Sequence, residues 1–80
     1  MTIGEACCIR ILNLCKEYNL KLNGLSNLCG ITQSTLNNIK SGKSTNPTIS
    51  TIKKICDGLS ITIVDFFSDP IFDNLDPEIK

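Results

Sequence analysis

The chain has 80 residues, 41% hydrophobic and 20% charged, with a formal net charge of zero. That apolar share excludes a disordered chain, and no apolar run approaches the ~20 residues that cross a bilayer. A domain this short buries only roughly 60–65% of its unfolded surface, so its core has little to spare.

The first predicted helix runs from Thr2 to about Tyr18. Thr2 and Glu5 have the spacing of a capping box, which satisfies amides at a helix start. Ile3, Cys7, Ile11, Leu14 and Tyr18 recur at steps of four and three and predict one buried stripe. Cys8, Leu12 and Cys15 form a second stripe beside it. Asn19 closes this helix.

A second helix is expected over about Leu22–Cys29, with Leu22, Leu25, Leu28 and Cys29 inward. Its start is weakly signalled, because Lys21 is a poor cap. Gly30 supplies a permissive turn position. Thr32 then caps a third helix, Gln33 to about Lys40, in which Leu36 and Ile39 are the apolar residues. Its other side chains are short and polar, and Ser, Thr and Asn compete for backbone bonds, so helix propensity does not explain them. A surface made to present amides and hydroxyls does.

Gly42 ends that helix, and residues 43–47 form a polar loop closed by Pro47. A fourth helix follows the cap Thr48, with Ile49, Ile52, Ile55, Cys56 and Leu59 at helical spacing. Thr62 and Asp65 open a short fifth helix, with Ile63, Val64, Phe66 and Phe67 supplying core. Asp-Pro occurs twice beyond Ser68, predicting an irregular tail on which Ile71, Phe72 and Leu75 could dock.

Five cysteines without a Cys-x-x-Cys pair, and no histidine, point away from a closed zinc site. Their odd number within apolar patterns fits reduced thiols serving as small hydrophobes. With no basic region before the first apolar stretch, a secretory leader is not expected, and a soluble cytoplasmic protein is. Charge is unevenly spread. Seven basic side chains face two acidic ones up to Cys56, a net +5, while one faces six from Asp57 onward, a net −5. A basic body with an acidic tail is the reading.

From about Leu22 to Ser41 the spacing is that of a helix-turn-helix. Ser26 is small where two helices would cross, Gly30 lies at the turn, and Ile31, Leu36 and Ile39 anchor the second helix. On these residues the sequence resembles the XRE/Cro family of lambda-repressor-like DNA-binding domains. The resemblance runs from about Ile11 to Phe67 and includes the stretches 30–36, 39–43, 46–52 and 59–67.

The resemblance implies an all-α, compact five-helix bundle whose third helix enters the major groove. Residues 1–67 would form the DNA-binding domain and 68–80 an acidic tail, docked or bound to a partner. Carried onto this sequence, base reading falls to Gln33, Ser34, Asn37 and Asn38, flanked by Thr32 and Thr35. Gln and Asn can each pair with adenine through two hydrogen bonds. Lys43, Ser44, Thr45 and Asn46 would meet phosphates, with Lys21 and Lys40 as further contacts. Two positions depart from the family pattern. Leu22 stands where a Gln commonly braces a phosphate and the recognition-helix Gln. Lys40 stands where a Glu commonly pairs with a base on helix one, here Arg10, which leaves both as positive charge available to DNA.

Cys8, Leu12 and Cys15 admit two readings. Either helices four and five or the docked tail cover them, or with Phe72 they form a homodimer surface placing two recognition helices one turn of DNA apart. The expected function is sequence-specific binding of double-stranded DNA by a small repressor-like transcriptional regulator. An antitoxin that holds a protein partner through the acidic tail, or an interaction module that has lost DNA binding, are the alternatives. An enzyme, a cofactor and a metal are not expected, since no nucleophile stands with a base partner.

Overall fold

Four threonines set where helices begin. The hydroxyl oxygens of Thr2, Thr32, Thr48 and Thr62 accept from the amides of Glu5, Thr35, Thr51 and Asp65 at 3.0–3.2 Å. At Thr2 and Thr62 the acid returns the bond to the cap amide, completing a capping box. Each such cap is worth ~1 kcal/mol. The computed structural model describes residues 1–41 and 46–79. Among these the helices are α1 (Ile3–Glu17), α2 (Leu22–Cys29), α3 (Gln33–Ser41), α4 (Ile49–Leu59) and α5 (Ile63–Phe67), with a 3₁₀ turn at Pro70–Phe72 and no strand. Only α2 starts without a side-chain cap, at Lys21, as the sequence suggests.

Three helices end alike. Asn19, Gly30 and Ser60 take left-handed φ of +56°, +67° and +58°. The next residue in each case returns its amide to the carbonyl five positions back: Leu20 to Cys15, Ile31 to Ser26, and Ile61 to Cys56. This geometry satisfies a helix-end carbonyl and turns an apolar side chain back toward the core. Leu20 and Ile61 pack against the core and Ile31 is part of it.

All five helices feed one core. Ile11, Leu25, Leu36, Ile39, Ile52, Ile55, Cys56 and Phe66 are fully buried. α4 approaches α2 closely at Gly58. A Cβ at Gly58 would lie 2.4 Å from Cys29 Sγ and 3.3 Å from Cys29 Cα, so this approach requires glycine.

Where periodicity extends to helix ends, it overstates burial. Ile3, Tyr18, Leu28, Ile49 and Val64 were expected inward and are exposed, Val64 at 73%. Periodicity names a face of the helix, and at these five positions the fold leaves that face largely uncovered.

The two readings of the second α1 stripe are resolved for the cysteines. Cys8 and Cys15 are 3% and 5% exposed, covered within the chain, and so are core residues rather than a dimer surface. α3 packs on α1, and Cys29 lies close to Cys15. Leu12 and Phe72 remain half-buried. All five cysteines are buried thiols, and that burial pushes each thiol's pKa up.

The tail is tied down. Phe72 sets its ring 4.9 Å from that of Phe67 and 6.1 Å from that of Phe66. Asp76 accepts the charge of the Met1 amino group at 3.4 Å and donates its own amide to the Met1 carbonyl. Arg10 closes the same side. Its guanidinium donates to the carbonyls of Phe66 (2.8 Å) and Asp65 (3.0 Å) and pairs with Asp69 at 3.3 Å. The expectation that Arg10 is charge left for DNA is therefore corrected. It holds the end of α5, where the last carbonyls and the helix dipole both attract a cation.

Candidate nucleic-acid interface

The turn between α2 and α3 is fixed by more than a small residue and a glycine. Ser26 Oγ donates to the Ile31 carbonyl at 2.5 Å, while the Ser26 carbonyl accepts the amides of Gly30 and Ile31. Ser26 was read as small for steric reasons, and its hydroxyl as a lock on the turn was missed. Its i to i+5 relation to a residue past the glycine is the signal that could have shown it.

That lock sets the rotation of α3. At 3.6 residues per turn, Gln33, Ser34, Asn37, Asn38 and Ser41 share a face ~140° wide, opposite Leu36 and Ile39. The four expected base-reading residues are all exposed on it. Leu36 and Ile39 are wholly buried and hold the helix from behind. Thr35, half-buried, and Thr32 join hydroxyls at 2.9 Å beside this face.

Within the face, Gln33 Nε2 donates to Asn37 Oδ1 at 3.2 Å, one turn along. The two amides thus form a pair before any ligand arrives. Ser41 Oγ donates to the Asn38 carbonyl at 3.0 Å.

Zero net charge hides the local electrostatics. From Tyr18 to Cys56 there is no acidic residue, while Lys21, Lys40, Lys43, Lys53 and Lys54 fall in that stretch. Three of the acids are held in ion pairs: Asp69 with Arg10, Asp76 with the N-terminus, and Asp57 with Lys53 at the edge of this stretch. Lys21, at the start of α2, and Lys40, near the end of α3, are exposed. Asn46 is exposed as well. Gly42, Lys43, Ser44 and Thr45, with their expected phosphate contacts, lie outside the described residues.

Leu22 is half-buried and packed against the core, so no polar group stands at that position on α2. Taken together, the arrangement is a short helix on apolar anchors, presenting amides and hydroxyls within a positively charged stretch. Such a surface can pair with base edges while lysines meet phosphates.

Comparison with known proteins agrees with this geometry. A family model described as a Cro/C1-type helix-turn-helix DNA-binding domain matches residues 10–70. The crystal structure of the prophage Lp1 protein 11 superposes with a TM-score of 0.80 at 37% identity, covering 94% of this chain and 99% of that one. No curated protein matches the sequence.

Proposed function

The chain belongs to the Cro/C1-type helix-turn-helix DNA-binding family, and on that footing we propose that it is a sequence-specific, repressor-like regulator acting on double-stranded DNA in the cytoplasm. In this reading α3 enters the major groove, and Gln33, Ser34, Asn37 and Asn38 meet base edges. Lys21 and Lys40 reach flanking phosphates, as do Lys43, Ser44, Thr45 and Asn46 after α3. No described helix is long and apolar enough to cross a membrane.

The observation that carries the reading is the face of α3. Two buried anchors fix the helix, and the side chains opposite them are amides and hydroxyls rather than the Glu and Lys of an ordinary solvated surface. That choice adds nothing to helix stability, since these residues are poor helix formers. It makes sense for a surface selected by what it touches.

Selection of binding sites from randomised duplexes tests the proposal. A defined site should be enriched, and the logarithm of affinity should fall against the logarithm of salt with a slope of roughly −4 to −5, matching ~4–6 phosphate contacts. The symmetry of the enriched site tests pairing of two chains. An inverted repeat with half-sites ~34 Å apart marks a two-fold dimer on DNA, and a lone half-site marks a monomer. If no duplex is bound even at low salt, the regulator reading fails.

A further inference from the structure

The Gln33–Asn37 bond restricts what this pair can read. A primary amide carries two N–H donors and one carbonyl oxygen. Donation from Gln33 Nε2 to Asn37 Oδ1 at 3.2 Å uses one of Gln33's two hydrogens. One N–H and the carbonyl oxygen of Gln33 are left to face a base. In the major groove adenine offers one acceptor, N7, and one donor, N6, side by side, whereas guanine offers two acceptors, N7 and O6. The remaining groups of Gln33 match adenine. Guanine would need the hydrogen already given to Asn37.

We propose that Asn37, placed above among the base-reading residues, is instead a positioning residue which fixes Gln33 as an adenine reader and does not read a base pair of its own. This deepens the DNA-binding reading and rests on it. A glutamine has three side-chain torsions, and ordering them opposes binding. A neighbour one turn away that holds the amide beforehand removes part of that opposition. Asn37 is suitably placed, because both side chains lie on the exposed face of α3, and Leu22 brings no polar group from α2 to share the role. The bond also fixes the amide's orientation, and so which atom meets N6 and which meets N7.

The full chain and its Q33A, N37A, N37D and Q33A/N37A variants, with folding confirmed by circular dichroism, are put through selection from randomised duplexes. Q33A and N37A should relax the same base pair, each lowering the preference for adenine by roughly tenfold. The double variant should be no worse there than Q33A alone. N37D keeps an acceptor for Gln33, so it should retain adenine at that pair while binding every duplex more weakly through its added charge. A bond that merely stabilised the helix would change affinity for all duplexes and leave base preference alone, which would overturn the proposal. So would N37A relaxing a different base pair from Q33A, or guanine being selected opposite Gln33 by the unmodified chain. Failure of the unmodified chain to enrich any duplex would overturn the DNA-binding reading together with this one, an outcome distinct from the others.

Discussion

Helices α1 and α3 face each other across the bundle and are held in opposite ways. α1 buries seven of its fifteen residues, from Gly4 to Cys15, and is fixed along most of its length. α3 buries two of nine, Leu36 and Ile39, and relies on the Thr32 cap and the Ser26 turn for the rest of its placement. In α1 nearly half of the residues are committed to packing. In α3 the fold is specified by few residues, and the remaining ones can be set by a ligand.

The largest effect should come from an α3 anchor. Leu36→Ala removes a wholly buried side chain from the smaller of the two contacts and should cost about 2–5 kcal/mol, read as a lower urea midpoint. A cost below about 1 kcal/mol would mean that α3 is placed by its turn alone. Next is the frame that both helices share. Gly58→Ala drives a methyl into Cys29 and should cost about 1–3 kcal/mol by the same measurement.

Arg10→Met tests which side of the comparison a cation belongs to. It takes the guanidinium from the Phe66 carbonyl, and leaves the Asp65 carbonyl and the Asp69 carboxylate with only the amides of Ser68 and Ile71, so stability should drop by about 1–3 kcal/mol. The salt slope of DNA binding, measured where the variant is folded, should not change. A shallower slope would return Arg10 to the phosphate contacts.

Alkaline pH should separate the two helices further, since α1 holds Cys7, Cys8 and Cys15 and α3 holds no thiol. Burial raises these thiols' pKa values in the folded state. Below the ordinary thiol range, both states are protonated and stability is unaffected. As pH climbs through that range the unfolded chain ionises first, so stability falls. The urea midpoint should therefore be lower at pH 10 than at pH 7.5, and less so in a Cys8→Ala variant.

The sequence makes the caps and turns legible because they depend on neighbours three to five residues away. Thr2, Thr32, Thr48 and Thr62 declare helix starts in this way, and Gly30 the turn. What it hides depends on distant parts of the chain. Arg10 reads as a DNA-facing charge because its partners lie 55–59 positions away. Leu28, Ile49 and Val64 read as core because periodicity identifies a face without showing whether anything covers it. Cys8 and Cys15 read as an interface candidate for the same reason, with the opposite outcome. The polar face of α3 is the best-read part of the site, since two apolar residues three apart leave little doubt about which side is outward. Its internal bond is within reach too, because Gln33 and Asn37 are four apart, although the family resemblance assigns each its own base contact.

The smallest effect on stability should accompany the largest on recognition. In the Q33A/N37A variant the stability, read by urea unfolding, should change by no more than about 0.5 kcal/mol, since both side chains are exposed. Measured beside it, affinity for the selected duplex over a random one should collapse. Stability unchanged with preference lost is the result predicted for a helix whose core face holds the fold and whose outer face reads DNA. Preference retained in that variant would contradict it.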